Sequence, residues 1–178
     1  MTSYRRNLLP GGSFFFTVNL ANRKLSLLID HLNLLRAAFH QTRQRHPFTI
    51  DAIVVLPDHL HTIWALPEND ADFSTRWRLV KSGFSRNLPD TEKISPSRAA
   101  RSERGIWQRR YWEHTIRDEA DFARHTDYIH INPVKHGLVR RVRDWMPSSF
   151  HRYVKQGIYP VDWAGNLSQD NGAFGERC

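Results

Sequence analysis

The sequence predicts an α+β fold of the split βαβ, ferredoxin-like kind: a four-stranded antiparallel sheet, helices on one face, and an extra C-terminal helix. Three observations predict it. Elements read strand, helix, strand, strand, helix, strand between residues 13 and 116. The two central strands are separated only by Pro57-Asp58, a tight turn that makes them antiparallel neighbours. A further helical pattern then follows Arg117-Asp118.

Taken in order, Ser13 to Leu20 follows a Pro-Gly-Gly turn and is rich in aromatic and β-branched residues, as a strand is. Asp30 is placed to cap a helix to about Arg45, with Leu32, Leu35, Phe39 and Thr42 at helical spacing, and Pro47 stops it. Phe48 to Leu56 and His59 to Leu66 are the two central strands. Asp72 opens a second helix in which Phe73, Trp77, Val80 and Phe84 recur on one face. From Asn87 to Gly105 periodicity is lost, and the stretch reads as a mobile loop in which Arg98, Arg101 and Arg104 are either a solvated charge run or a nucleic-acid contact. Ile106 to Ile116 is the fourth strand. A helix from Glu119 to about Ile131 follows, ended by Pro133, with Asn132 at its C-terminal end. A short helix from Ser148 to Lys155 and an aromatic segment around Tyr159 and Trp163 are expected to pack back on the body. Residues 1–166 are expected to form one domain, and 167–178 a frayed tail.

The chain has 178 residues and a net charge of +8, with six Trp, five Tyr and ten Phe. Positive charge interleaved with aromatic rings suits a polyanion whose bases stack, which points to nucleic acid, and to single strands in particular. One cysteine, Cys178, excludes an internal disulfide framework or a thiolate zinc cluster. No membrane span or signal-type leader is read, and a reducing, cytosolic setting is expected.

Chemistry concentrates on the second central strand. Side chains alternate across a sheet, so His59 and His61 point to one face and form half of a metal site, or else two satisfied structural histidines. The late helix offers a second half. Phe122, Thr126 and Ile129 read as its core-facing stripe, while Asp121, His125, Tyr128 and Asn132 lie within about 60° of one another on a flank read as outside the core. Taken alone, Tyr128 reads there as a boundary tyrosine and Asn132 as a C-cap; beside the histidine pair they are candidates for the second half-site.

These residues carry a resemblance. His59-Leu60-His61 has the form of the paired-histidine motif of HUH single-strand nucleases, and Tyr128 to Gly137 (Tyr-Ile-His-Ile-Asn-Pro-Val-Lys-His-Gly) is similar to the tyrosine helix of their single-tyrosine branch. Tyr4-Arg5-Arg6, Gly11-Gly12 with Phe15 to Asn19, Val54 to His59, Phe73 to Trp77, and Trp107 to Arg110 with Trp112-Glu113-His114 resemble the REP-associated tyrosine transposases, over most of residues 4 to 165. The resemblance implies cleavage and rejoining of single-stranded or hairpin DNA at REP-like repeats through a 5′-phosphotyrosine on Tyr128. It implies a divalent metal, Mg2+ or Mn2+, on His59, His61 and Asn132, although Asn132 stands where the wider branch often has Gln. Asp58 and His125 are candidate supports. Arg5, Arg6, Trp107, Arg109, Arg110 and Trp112 are the candidate DNA contacts, and the protein would act as a monomer or homodimer.

Two rivals are weighed beside this reading. An RRM-like module would hold nucleic acid on an open sheet face without cutting it. A metal-independent phosphodiesterase would need two separated His-x-Thr/Ser motifs, whereas Thr here directly follows His114 and His125.

Overall fold

The computed structural model describes residues 7–90 and 94–165. Strands β1 (Ser13–Asn19), β2 (Thr49–Val55), β3 (His59–Ala65) and β4 (Trp112–Thr115) form one sheet in the order β2-β3-β1-β4, with every neighbouring pair antiparallel. This is the strand order that the split βαβ reading requires. Helix α1 (Leu27–Asp30) leads directly into α2 (Leu32–Arg45), and α3 (Phe73–Arg86) follows the hairpin. Short α4 (Pro96–Ala99), long α5 (Glu119–Lys135), a 3-10 turn (Val142–Asp144) and α6 (Phe150–Lys155) complete the elements of the described residues. Among the described residues, no helix is long and apolar enough to cross a membrane.

Alternation along the strands splits the core in two. Phe14, Phe16, Val18, Leu60 and Trp64 point towards α2 and α3, where they meet Phe39, Phe73, Trp77 and Phe84. Trp64 and Trp77 stack there with ring centroids 4.1 Å apart. Phe15, Ala52, Val54 and Ile63 point the other way and meet Tyr128 and Ile129 of α5. The register sets Thr17 opposite both His61 and Trp112, and Phe15 opposite both Ile63 and His114. The second face of the sheet is therefore covered by a helix.

Burial of α5 differs from the sequence expectation. Asp121, His125, Tyr128 and Asn132, read as a row outside the core, are all buried, as are Thr126, Ile129, His130 and Ile131, whereas Phe122 is only half-buried. The helix has the sheet on one side and the C-terminal segment on the other: Ile131 packs with Val142 and Phe150, and Tyr159 and Trp163 lie against that cluster. Tyr159 donates a hydrogen bond to Asp127. A helix with two apolar neighbours has no single core stripe. Pro133 also lies inside α5, with His136 as C-cap. Proline forfeits one i→i−4 bond this close to the end, and the packing on both sides holds the turn that follows it. Gly137, at φ +67°, then takes the left-handed position that closes the helix, with its N–H donated to Val134 O.

Three smaller differences have local causes. Asp30 does not cap α2; its carboxylate accepts a hydrogen bond from Ser26 Oγ at 2.5 Å, and His31 stands at the helix start. The fourth strand is only Trp112–Thr115, because upstream Trp107 makes an isolated bridge to Leu20 and turns its indole inward. The 87–105 stretch is tied down on both sides of residues 91–93, which lie outside the described residues. Arg104 donates to the carbonyls of Ser85, Leu88 (2.8 Å) and Pro89 (2.7 Å), and Arg98 to that of Trp107 at 3.2 Å.

The outer rim of β2 is covered as well. Val55 N–H donates to Pro147 O at 2.9 Å, Ile53 N–H to Ser149 Oγ at 2.9 Å, and Ser149 N–H returns to Ile53 O at 2.8 Å.

Candidate active site

β3 sits next to the sheet's centre, and both of its histidines are buried, His59 at 1% exposure and His61 at 0%. Their rings lie edge to face, with centroids 5.0 Å apart. Each Nδ1 is held by a protein group. Asp58 Oδ1 lies 2.7 Å from His59 Nδ1, and Thr17 Oγ1 lies 2.8 Å from His61 Nδ1. Burial raises the Asp58 pKa, but hydrogen bonds from His59 and Arg23 outweigh it and bring the pKa down to about 2. A charged carboxylate only accepts, so His59 carries its proton on Nδ1 and its lone pair on Nε2. Burial pushes the His59 pKa down against the pull of Asp58, which keeps the ring neutral. A neutral imidazole whose Nδ1–H is fixed by a carboxylate is the form in which histidine binds metals.

α5 brings the phenol to the same place. The Tyr128 ring centroid is 5.2 Å from that of His61, at 72°, and 6.1 Å from that of Phe15. Asn132, one turn later on the same helix, is 0% exposed. Two groups that the sequence reading quoted within the motif, without giving them a role, close the end of this cluster. The His136 ring lies 5.0 Å from that of His59, and Lys135 Nζ is 4.6 Å from the centre of the Tyr128 ring. Both residues are exposed, whereas Tyr128 beneath them is fully buried. Arg23 is a third addition: it donates to Asp58 and, at 3.0 Å, to Asn19 Oδ1, bracing the carboxylate that orients His59. Its position in the turn after β1 gave no periodic signal by which to find it.

His125 lies one turn before Tyr128 and is buried, unlike a surface histidine. Its ring is 4.8 Å from that of Phe15, so Phe15 touches His61, His125 and Tyr128 together. With His114 and Asp121 it forms a second group whose ligand atoms all lie within 4.8 Å of one another, close enough to hold a metal ion. There the carboxylate already has counter-charges. His114 Nε2 lies 2.8 Å from Asp121 Oδ2, Arg117 N–H donates at 3.1 Å and Arg124 Nη2 at 3.0 Å, in the positive first turn of α5. Burial works to raise the Asp121 pKa, yet these donors hold it well below the usual carboxylate range. At the His59 and His61 pair the neighbouring carboxylate, Asp58, is engaged by His59 Nδ1 and by Arg23.

The candidate DNA contacts are scattered. Arg5 and Arg6 lie outside the described residues. Trp107 is corrected to a core residue: it is 7% exposed, and its Nε1–H points to Lys81 O and Ser85 Oγ at 3.2 and 3.1 Å, so its face is not a stacking platform. Arg109 pairs with Glu103 at 2.9 Å, Arg110 is exposed, and Trp112 is half-buried, edge-on to Phe15 and parallel to His114. A basic cleft of about 870 Å³ opens between α3 and the segment before β4, with Arg78, Lys81, Arg86, Arg98, Arg101 and Arg109 on its walls.

No family profile matches the chain. Two curated relatives do: a putative REP-associated tyrosine transposase of Haemophilus influenzae, 50% identical over 167 residues (93% of this chain and 95% of the relative), and the REP-associated tyrosine transposase of Escherichia coli K12, 48% identical over 168 residues (94% of each). A solved structure of a REP-associated tyrosine transposase bound to a REP hairpin superposes with a TM-score of 0.85 at 47% identity, covering 100% of this chain and 99% of that one.

Proposed function

Because the chain belongs to the REP-associated tyrosine transposases, we propose that it nicks and rejoins single-stranded DNA at REP-type palindromic hairpins, with Tyr128 as nucleophile and a 5′-phosphotyrosine as intermediate. One observation carries the reading: a strand's paired imidazoles and a phenol from a helix far along the chain meet with His61 and Tyr128 ring centroids 5.2 Å apart. Both halves come from one chain, so a monomer suffices. The open sheet face that an RRM-like module needs is occupied by α5.

The donor set fits a divalent cation, Mg2+ or Mn2+, on His59, His61 and Asn132: two buried imidazoles, at least one with its proton fixed on Nδ1, and a buried amide from the facing helix. When bound, the cation supplies Lewis-acid polarisation of the scissile phosphate. The remaining steps belong to the chain. Asp58, braced by Arg23, keeps His59 in one tautomer and one orientation. Thr17 holds the His61 ring, and Phe15 buttresses both His61 and Tyr128. The Tyr128 oxygen attacks phosphorus, the bond to the 3′ oxygen breaks, and that oxygen leaves as a hydroxyl after taking a proton. One phosphodiester replaces another, so a new 3′ hydroxyl can reverse the step without a nucleotide cofactor. The basic surface, the cleft beside α3 included, supplies affinity for the phosphate backbone, and the substrate places the activity in the bacterial cytosol.

The test is a covalent adduct. Incubation with a hairpin bearing a single-stranded flank and Mn2+, resolved on a denaturing gel, gives a protein-DNA band in the wild type and none in Tyr128→Phe. His59→Ala loses the band while retaining hairpin binding on a native gel. Binding by the wild type with no adduct at any flank sequence refutes the enzymatic reading and leaves a binding module.

A further inference from the structure

The buried cluster has a basic roof. His59, His61, Tyr128 and Asn132 are at most 1% exposed, whereas Lys135 and His136, on the last turn and cap of the same helix, are exposed and lie against Tyr128 and His59 respectively. Tyr128, Asn132 and Lys135 follow one another at i, i+4 and i+7, which places them along one helix face. A phosphate that reaches the phenol must come past this roof, because the sheet closes the other side.

We propose that Lys135 is a catalytic residue: its ammonium leaves the Tyr128 ring for the scissile phosphate and neutralises charge on that phosphate during attack. This rests on the strand-transfer reading given above. Lys135 Nζ is 4.6 Å from the ring centroid on a flexible four-carbon stem, so a small rotation carries it to an oxygen of the phosphorus that Tyr128 attacks. A cation over a neutral ring is a weaker arrangement than a charge-assisted hydrogen bond to phosphate, so arriving DNA draws the lysine off the phenol it covers. The same movement uncovers a nucleophile that has no exposed surface in the free protein. In the step itself Lys135 remains protonated. The phenolic proton goes to solvent, the Tyr128 oxygen bonds to phosphorus, the P–O3′ bond breaks with its electron pair on the 3′ oxygen, and that oxygen takes a proton from solvent. A preorganised donor at the place where charge accumulates is worth about a hundredfold to a thousandfold in rate, and an ammonium that must first swing into place is worth less.

The experiment compares wild type, Lys135→Met and Lys135→Arg in single-turnover adduct formation with Mn2+, at saturating hairpin DNA, on two substrates: the natural diester and one with an uncharged methylphosphonate at the scissile position. Lys135 is exposed, so neither variant disturbs the core, and thermal melts check this. The expected result is a fall of about tenfold or more in the saturating rate constant of Lys135→Met on the diester, with hairpin Kd changed less than about threefold. Lys135→Arg recovers most of the rate, and Lys135→Met and wild type react with the methylphosphonate at similar rates. A loss confined to Kd overturns the proposal, because Lys135 is then an ordinary backbone contact. An equal loss on both substrates also overturns it, because the effect is then structural. Absence of an adduct even with wild type overturns the strand-transfer reading, and this proposal with it.

Discussion

Phe14 and Phe15 allow a controlled test of how the site is held. Both are fully buried neighbours on β1, yet they face opposite sides of the sheet. Phe14 meets Phe16 and Phe73, with centroids 6.2 and 4.9 Å away. Phe15 meets His61 at 5.7 Å, Trp112 at 5.6 Å, His125 at 4.8 Å and Tyr128 at 6.1 Å. Replacing either with Leu keeps most of the volume, which costs up to about 1.5 kcal/mol, and each lost ring contact adds roughly 0.5 kcal/mol, so the totals are about 2.5 kcal/mol for Phe14 and about 3.5 kcal/mol for Phe15. For a domain stable by roughly 5–15 kcal/mol, both variants stay folded. Their activities should separate. Phe15→Leu removes the surface that fixes His61 against Tyr128, and a misplacement of about 1 Å costs on the order of a hundredfold in rate. Phe14→Leu leaves that surface intact. Urea unfolding should therefore give losses of stability within about 1 kcal/mol of each other, while adduct formation falls about ten- to a hundredfold in Phe15→Leu and stays within about twofold in Phe14→Leu. If both rates fall together, the site responds to global stability, and the role given to Phe15 is wrong.

Other predictions follow from the same geometry. Asp58→Asn keeps the shape but loses the charge that fixes His59, so Mn2+ affinity by titration calorimetry should drop about 10- to 100-fold with the fold intact; unchanged affinity would refute the orienting role. Arg76 is 2% exposed and donates to Asp70 at 2.7 and 3.1 Å, which holds the Asp70 pKa below its ordinary 3.8. That contribution is present above the unfolded pKa and is lost as pH falls through the lower folded one, so the stability advantage of wild type over Asp70→Asn should be level from pH 7 to 5 and disappear in acid below 3.8. An advantage that persists in strong acid would assign the effect to shape instead of charge. Arg110→Gln should lower the slope of log Kd against log salt for hairpin binding by about one if Arg110 meets a phosphate, with the saturating rate unchanged.

Much of this was legible because a few local signals were strong. Pro57-Asp58 between two apolar runs marked the hairpin, and strand alternation put His59 and His61 on one face. Asp72 as N-cap was readable too, and its side chain accepts from Thr75 N–H at 2.9 Å. The late helix was misread for a physical reason. A periodicity search seeks one apolar stripe and takes polar residues as solvent-facing, but α5 lies between two layers and buries Asp121, His125 and Asn132 among partners. Pro133 misled in the same way: the rule that proline ends a helix holds for local energetics, and tertiary packing overrode it. Aromatic density made residues 106–116 look like a single long strand, when Trp107 and Tyr111 pack against α3. Lys135 and His136 stood in the recognised motif, but their positions over Tyr128 and His59 depend on the closing turn of α5, which the early helix stop had removed.

The occupied rim of β2 has a consequence for assembly. Residues 147–149 engage the outward peptide groups of Ile53 and Val55, Arg152 and Tyr153 donate to Asp51 O, and Trp145 adds an indole hydrogen bond to Val55 O at 2.9 Å. Lateral growth of the sheet, the simplest way for two such molecules to zip together or to seed a fibril, is barred on that flank. A continuous sheet shared by two copies would have to be built through four-residue β4 on the opposite flank, a junction with room for few rungs.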